Sequence, residues 1–396
     1  MDNIRPLDGI TVVSLEHAIA APFCTRQLAD LGARVIKIER PNVGDFARAY
    51  DTRTAGLASH FVWTNRSKES LTLDLKKDGA DTILHSLLET ADVLVQNLAP
   101  GAVKRMGLGF NDLHEKYPQL ICCDISGYGE SGPYEQKKAY DLLIQSEGGF
   151  LSITGGPGEE GMAKAGNSIA DIAAGMYAYT GVLSALLLRA KTGLGSHVDV
   201  SMLESLVEWM GYPMYYAFDG APAPARAGAS HATIYPYGPF SAGNGTVMLG
   251  LQNEREWALF CEKVLELPDL QQDVKFDSNS KRSANREALR ATIVAVFERL
   301  GAEQVTQRLD NAGIANANVN TIYDVWKHPQ LEARKRWVSV DSAAGPLPAL
   351  LPPGKNSQFV HRMDAIPALG QHSNRILAEL GFTAEDIDSL QVQGVI

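Results

Sequence analysis

Two short apolar runs near the start of the chain, Thr11 to Glu16 (TVVSLE) and Ala33 to Glu39 (ARVIKIE), constrain its fold more than any other feature. Both alternate as strands do, and the segment between them, Pro22 to Leu31, is apolar at helical spacing. Strand, helix and strand in so short a stretch predict a parallel pair with a right-handed helical crossover on one face of the sheet. The alternation continues through a strand at Ser70 to Leu75, a helix at Ala80 to Thr90, and strands at Val93 to Gln96 and Leu120 to Ser126. Turns fall at Pro100-Gly101 and at Gly127 to Pro133. The order predicts an α/β, doubly wound domain with a parallel sheet. Its first strand-to-helix turn reads EHAIAAP, without glycine, so the fingerprint for a dinucleotide pyrophosphate is absent even though Glu39 ends the second strand as a ribose-binding acid would.

The second half has a different character. A turn at Thr192 to Ser196 and a strand at His197 to Ser201 are followed by Gly211 to Phe240, rich in Pro, Gly, Ala and Tyr, which reads as an inter-domain linker over 211–240. Beyond it a strand at Thr246 to Leu251 and helices at Glu254 to Leu265, Asn285 to Leu300 and Ala302 to Ala312 predict a smaller α+β domain over 225–330, beside a large domain over 1–215. A loop at Ala343 to Gly354 leads to a C-terminal helix around Ser373 to Leu380.

Composition narrows the chemistry. A net charge of −10 argues against bulk attraction to nucleic acid or anionic lipid, so an anionic ligand must be held by local basic groups. The opening residues MDNIRPLDG hold no apolar run of the export type, and a cytoplasmic protein is expected. Cys24, Cys122, Cys123 and Cys261 form no CxxC, and the nine histidines form no HxxxH or HExxH pair, so reduced core cysteines and no metal site are expected.

The stretch Asn167 to Lys191 is the most apolar in the chain, with no charged residue from Ile172 to Leu188. Its periodicity predicts a mostly buried helix, and its composition is too rich in Gly and Ala to favour a membrane span. Asp171 stands at its start, where free N–H groups and the helix dipole favour an anion. Ser168 and Asp171 also fit a capping box, S-x-x-D, so spacing alone leaves a structural and a functional role open. The preceding segment Thr154 to Gly161 (TGGPGEEG) reads either as a gating loop or as a plain surface turn. Asn97, just past a strand's carboxyl end, is either a turn residue or a ligand contact.

Four blocks carry a family resemblance: AAPFCTRQLADLGARVIKIERPNVGD, DVLVQNLAPGAVKRMG, SGYGESGPY, and the run from Asp171 to Met202 patterned D-x-x-A-G-x-x-A-x-x-G-V-L-S-A-L-x-x-R-x-x-T-G-x-G-S-x-V-D-V-S-M. In this order they resemble the class III CoA-transferases, the formyl-CoA transferase and carnitine CoA-transferase family. The resemblance implies a Rossmann-like large domain completed by about 335–396, and two chains interlocked as a homodimer. It makes Asp171 the catalytic carboxylate, and His17, Ala18, Ala20, Arg40, Leu73, Asn97, Arg105 and Lys138 the residues lining CoA. CoA or acyl-CoA would be a substrate, with no tightly bound cofactor. Such a ligand carries phosphates, for which Arg40, Arg105 and Lys138 supply charge-assisted donors.

A carboxylate suits group transfer because its attack on a thioester gives a mixed anhydride that the released thiolate reopens as an enzyme-bound thioester. Oxyanion donors are expected from backbone N–H groups near Gly155, Gly156 or the helix start. The family also holds α-methylacyl-CoA racemases, which carry His before Asp where this chain has Tyr140-Asp141. A tyrosine with its ordinary pKa near 10 is a poor proton shuttle at neutral pH, which favours transfer. The whole chain looks most like the branch that moves CoA from succinyl-CoA to itaconate, mesaconate or citramalate, and the small domain lacks the glycine run of formyl-CoA transferase, which counts against oxalate. A second substrate carboxylate needs a cation or donors, for which Arg48, Arg66, Arg226, His231 and Tyr235, with Tyr140 beside them, are the candidates.

Overall fold

The alternating start of the chain folds as β1 (Thr11–Leu15), a first helix (Ala20–Asp30) and β2 (Arg34–Glu39). It continues through β3 (Lys68–Thr72), β4 (Val93–Gln96), β5 (Ile121–Ser126) and β6 (His197–Ser201). These form one sheet in the order β3-β2-β1-β4-β5-β6, with every neighbouring pair parallel. The chain winds outward from β1 to β3 and then returns to the other side of β1 at β4. Between β1 and β4 the order reverses, and open parallel sheets bind ligands in the crevice at such a switch point.

The computed structural model describes residues 4–396. The chain divides into two compact units, one taking the residues up to 148 with 166–209 and 330–396, the other taking 149–165 and 210–329. The first unit's core joins Val13, Leu15, Ile36, Ile38 and Leu71 of the sheet to Ile83, Leu84 and Leu87 of the helix Ala80–Thr90. Ile376, Leu377, Ile387 and Val395 from the C-terminal tail complete it, and Val395 accepts a hydrogen bond from the Asp74 N–H at 2.7 Å. β3 begins two residues before the expected strand, at Lys68 and Glu69, because two charged residues that read as loop are enclosed by partners in the fold.

The apolar stretch forms a central helix, Ile169–Thr192, closed by Gly193 in the left-handed conformation with φ of 75°. Ala170, Ala173, Ala174, Gly175, Ala178, Val182 and Ala185 are its buried face. Small residues there permit close approach: a Cβ on Gly175 would lie 2.6 Å from the Ala20 carbonyl oxygen of the first helix, and one on Gly181 would lie 2.6 Å from Cγ1 of Val198 in β6. The expected burial holds for this face alone. Leu187 and Leu188 remain 69% and 50% exposed, since a helix apolar all round outruns the surface that one unit offers it. By length and composition the helix also meets the requirement for a membrane span.

In the second unit β7 (Tyr237–Ala242), β8 (Gly245–Gly250) and β9 (Asn316–Asn318) form an antiparallel sheet. The helices Arg286–Phe297 and Ala302–Ala312 pack on it around Phe240, Trp257, Phe260 and Phe297. The stretch read as a linker is not irregular throughout: it contains the helix Gly211–Tyr216 and opens β7. The segment 149–165, read as part of the large domain, belongs to this unit. Its Gly155 carbonyl accepts from the Gly228 N–H at 2.8 Å, and Arg226 donates to the carbonyls of Ser152, Gly156 and Gly158.

Gly175→Ala is expected to act against helix propensity. Alanine favours a helix by up to ~1 kcal/mol over glycine, whereas forcing a methyl against a fixed carbonyl costs about 1–3 kcal/mol. Urea denaturation should show a net loss of stability, and an unchanged or raised midpoint would contradict the close packing.

Candidate active site

Against one face of β1, β2 and β3 lies a set of buried charges. Glu16, which follows β1, accepts from Lys37 of β2 at 3.2 Å, from Lys68 of β3 at 2.7 Å and from the Thr25 hydroxyl at 2.6 Å. Lys37 also donates to Asp45 at 2.8 Å, and Lys68 to the Pro22 carbonyl at 3.0 Å and the Asn65 side chain at 3.1 Å. Beside them Arg48 makes a two-pronged pair with Glu39, both contacts at 2.7 Å, and Glu39 accepts from the Ser70 hydroxyl at 2.6 Å. Three carboxylates thus meet three cations at direct hydrogen-bonding distance. Burial opposes ionisation of Glu16, but Lys37 and Lys68 outweigh it and hold its pKa below the ordinary value. Burial pulls the Lys68 ammonium down to about 8 against the attraction of Glu16.

This network shapes the loop between β1 and the first helix. Asp45 accepts from the N–H groups of Ala18 at 3.1 Å and Ala47 at 2.9 Å. Ala18 has φ of 61°, a left-handed conformation disfavoured by roughly 1 kcal/mol for a residue with a Cβ, and Asp45 holds it there. Next to it the His17 N–H donates to Asn97 Oδ1 at 2.8 Å and Asn97 Nδ2 donates back to the His17 carbonyl at 2.9 Å. The two residues clasp the ends of β1 and β4 across the switch point. The His17 ring stacks on Phe46 at 5.2 Å with its Nδ1 3.9 Å from Asp45, and Phe46 packs on Tyr50.

The start of the central helix comes to the same place. Asp171 lies one turn before Gly175 and so shares the face that meets Ala20. The Tyr50 phenol is raised above its ordinary pKa by burial and by the charges of Asp45 and Asp171, with Tyr140 nearby. His17, Phe46, Tyr50 and Asp171 are thereby gathered at the carboxyl edge of the sheet.

The helix start departs from expectation. The Ser168 side chain makes no capping bond. Instead Asp141, first residue of the short helix Asp141–Glu147, places Oδ1 2.8 Å from the Ala170 N–H and 3.3 Å from the Asp171 N–H. Its Oδ2 accepts from Gln145 at 2.6 Å. The Asp171 carboxylate has no hydrogen-bond partner among the described residues. Burial, reinforced by the charge of Asp141, pushes its pKa up to about 7. An anion held ionised by the helix start was the expectation for Asp171; the fold gives those donors to Asp141.

The remaining candidates separate by how they are engaged. Arg40, Arg105 and Lys138 are exposed and form no ion pair among the described residues. Ala20 and Leu73 are buried, and Leu73 gives its side chain to the core and its N–H to the Glu39 carbonyl at 2.8 Å. Arg48 is held by Glu39, and Arg66 is held by Asp30 at 2.8 and 2.7 Å, so neither guanidinium is open to a substrate carboxylate. Tyr140 is 70% exposed. In the second unit Arg226 buckles the glycine segment, and His231 accepts the N–H groups of Thr233 and Ile234 on Nδ1. Tyr235 is buried in the core beneath Arg286. Gly155 and Gly156 belong to that unit too, and the first N–H groups of the central helix are occupied by Asp141.

Sequence spacing missed a further cluster. Asp124 accepts from Gln96 at 2.8 Å and lies 2.6 Å from His197 Nε2, and Glu130 brings a third potential ligand atom within 4.8 Å of the others. The expected absence of metal-ligand spacing therefore says nothing about this grouping, which joins Asp124 and Glu130, six residues apart, to the distant His197. Hydrogen bonding to Asp124 raises the His197 pKa, burial raises that of Glu130, and Lys104 stands 3.9 Å from Glu130. Gln96, Leu98, Gly101, Lys104 and Glu130 line a crevice outside the ends of β4 and β5.

With this geometry in hand, the comparisons agree. The family model of CoA-transferase family III matches residues 7–373. The human succinyl-CoA:glutarate CoA-transferase is 32% identical over 404 residues, covering 100% of this chain and 91% of its own length. The acetyl-CoA:oxalate CoA-transferase of Acetobacter aceti is 33% identical over 329 residues, covering 83% of this chain and 84% of its own. A crystal structure of a CAIB/BAIF family protein from Brucella suis superimposes with a TM-score of 0.84 at 33% identity, covering 96% of this chain and 100% of that one.

Two outcomes follow from the buried charges. Lys37→Met leaves Glu16 and Asp45 short of a cation and is expected to lower stability by about 3–5 kcal/mol in chemical denaturation. For Asp171 the folded pKa, about 7, lies above the ordinary carboxylate value, so from about pH 4 to 7 the folded chain keeps a proton the unfolded chain releases. That contribution is lost as pH rises through 7. Asp171→Asn should therefore raise the thermal midpoint most above pH 7, with the gain fading toward pH 4; a pH-independent difference would exclude the raised pKa.

Proposed function

The chain belongs to CoA-transferase family III, and from that premise we propose that it moves CoA from succinyl-CoA to a short dicarboxylate through a covalent thioester on Asp171. One observation carries the reading: Asp171 is an unpaired carboxylate at the switch-point edge of the sheet with a pKa of about 7. Close to neutral pH a large share of it is ionised, and it is more basic, hence more nucleophilic, than an ordinary aspartate.

In the proposed sequence an Asp171 oxygen attacks the succinyl-CoA carbonyl carbon, and the C–S bond breaks to give a mixed anhydride and the CoA thiolate. The thiolate attacks the Asp171 acyl carbon, releasing succinate and leaving an aspartyl-CoA thioester. The acceptor carboxylate then displaces CoA to form a second anhydride. Attack of the thiolate on the acceptor's acyl carbon gives the new acyl-CoA and restores the Asp171 carboxylate. Arg40, Arg105 and Lys138, exposed and without ion pairs, are the cations proposed for the CoA phosphates.

The acceptor class follows from the relatives' chemistry. Glutarate has five carbons and two carboxylates, as do itaconate, mesaconate and citramalate, and these are the proposed acceptors. The similarity to an acetyl-CoA:oxalate CoA-transferase weighs against the argument that a missing glycine run disfavours oxalate. Racemisation is the weaker reading, since Tyr140 is exposed and stands where a proton-shuttling histidine would be required. A homodimer is also proposed: Leu187, Leu188 and Leu194 leave an apolar surface uncovered on and just beyond the central helix.

Incubation with succinyl-CoA should produce a hydroxylamine-sensitive adduct located by mass spectrometry at Asp171 and missing in Asp171→Ala. Turnover should rise through about pH 7 on its acid side as Asp171 ionises. Screening glutarate, itaconate, mesaconate, citramalate and oxalate with succinyl-CoA identifies the acceptor, and no acyl-CoA product from any of them would overturn the substrate class.

A further inference from the structure

The free first N–H groups of a long helix favour a nearby anion, and Asp171 stands among them. Yet they point at another acid. Asp141 Oδ1 lies 2.8 Å from the Ala170 N–H and 3.3 Å from the Asp171 N–H, and Gln145 Nε2 fixes its other oxygen at 2.6 Å. Gln145 is itself buried, so the Asp141 carboxylate is held from both sides. The Asp171 side chain receives no hydrogen bond among the described residues. The titratable groups the structure sets around it are Asp141 and Tyr140 from the short helix and Tyr50 from the turn after β2, with His17 and Asp45 behind Tyr50. The first helix offers Ala20 and Phe23 to Gly175, one turn further along the central helix. Among the described residues no cation is paired with Asp171.

We propose that Asp141 is a positioning residue for the transfer reaction: by accepting the N–H groups that open the central helix, it holds the Asp171 backbone in place while denying its carboxylate their stabilisation and presenting it with a like charge. Two acids at one helix start then have opposite tasks. Asp141 is secured by three N–H donors. Asp171 is the reactive one, left basic and free to attack. The inference rests on Asp171 being the nucleophile, and it assigns Asp141 a role that acts through the Asp171 backbone and charge environment.

Asp141→Asn separates this role from simple capping. Asparagine and aspartate are equivalent acceptors for helix N–H groups, and Gln145 can turn its amide to face the new one. The cap survives and the charge does not. The readout is the rate of Asp171 adduct formation with succinyl-CoA in a single turnover, measured against pH. Wild type should show an acid limb near pH 7. In Asp141→Asn the limb should move toward acid by about one unit, with a lower plateau rate because the nucleophile is less basic and with little change in thermal midpoint. An acid limb coincident with wild type would reduce Asp141 to a cap and overturn the proposal.

Asp141→Glu provides the complementary arm if the Asn variant fails to fold. It keeps the charge while its longer side chain misplaces the acceptor, so the limb should stay near pH 7 as the midpoint falls. A limb shifted to acid in this variant would likewise overturn the role. Wild-type protein that forms no adduct at all would sink the assignment of Asp171 and this inference with it, whereas a wild-type adduct with unmoved variant limbs would sink this inference alone.

Discussion

The site is built on the ion network of Glu16, Lys37, Lys68 and Asp45, enclosed against one face of β1, β2 and β3. Removing such charges from water is costly, and only mutual pairing with every lone pair engaged makes the burial tolerable. The result is geometric control. Asp45 bonds to Lys37 and to the N–H of Ala18, so the strand-to-helix turn is tied to β2 rather than left to local preference. A fold that usually places glycines in this turn here holds an alanine in the left-handed region instead, and the His17–Asn97 clasp then fixes the width of the crevice between β1 and β4.

The opposite electrostatic arrangement operates a few residues away. Glu16 is stabilised as an anion by two ammonium groups despite complete burial, whereas Asp171, half-buried and facing Asp141, is destabilised as one. The contrast lies in partners, not in depth. A carboxylate proposed as a nucleophile must be ionised yet weakly satisfied, and the fold assigns the helix-start donors to a neighbour. The raised proton affinity of Asp171 comes at some expense of stability above neutral pH, an expense common where a proposed nucleophile is left poorly satisfied.

Much of the architecture was legible because it depends on periodicity. The runs TVVSLE and ARVIKIE, the helix from Ala80 to Thr90 and the central apolar helix all follow from spacing, and the parallel order follows from their alternation. What escaped was set by long-range partners. Lys68 and Glu69 open β3 although two charges in a row read as loop, because the strand's inward face meets Glu16. Segment 149–165 looked continuous with its neighbours, but its hydrogen bonds to Gly228 and Arg226 carry it into the second unit. Arg48 and Arg66 resembled substrate cations until Glu39 and Asp30 accounted for them, and no local pattern encodes an acid nine or thirty-six residues away.

The sequence by itself determined the fold class, since strand and helix periods are local, and it determined which family the chain resembles, since ordered blocks survive as text. It also singled out Asp171. It did not determine how that carboxylate behaves. S-x-x-D spacing and a helix start pointed to a stabilised, capped anion, and the tertiary structure reversed this by bringing Asp141, thirty residues earlier in the chain, onto the same N–H groups. Proton affinity depends on the charges and donors within a few ångströms, and folding alone decides which residues those are.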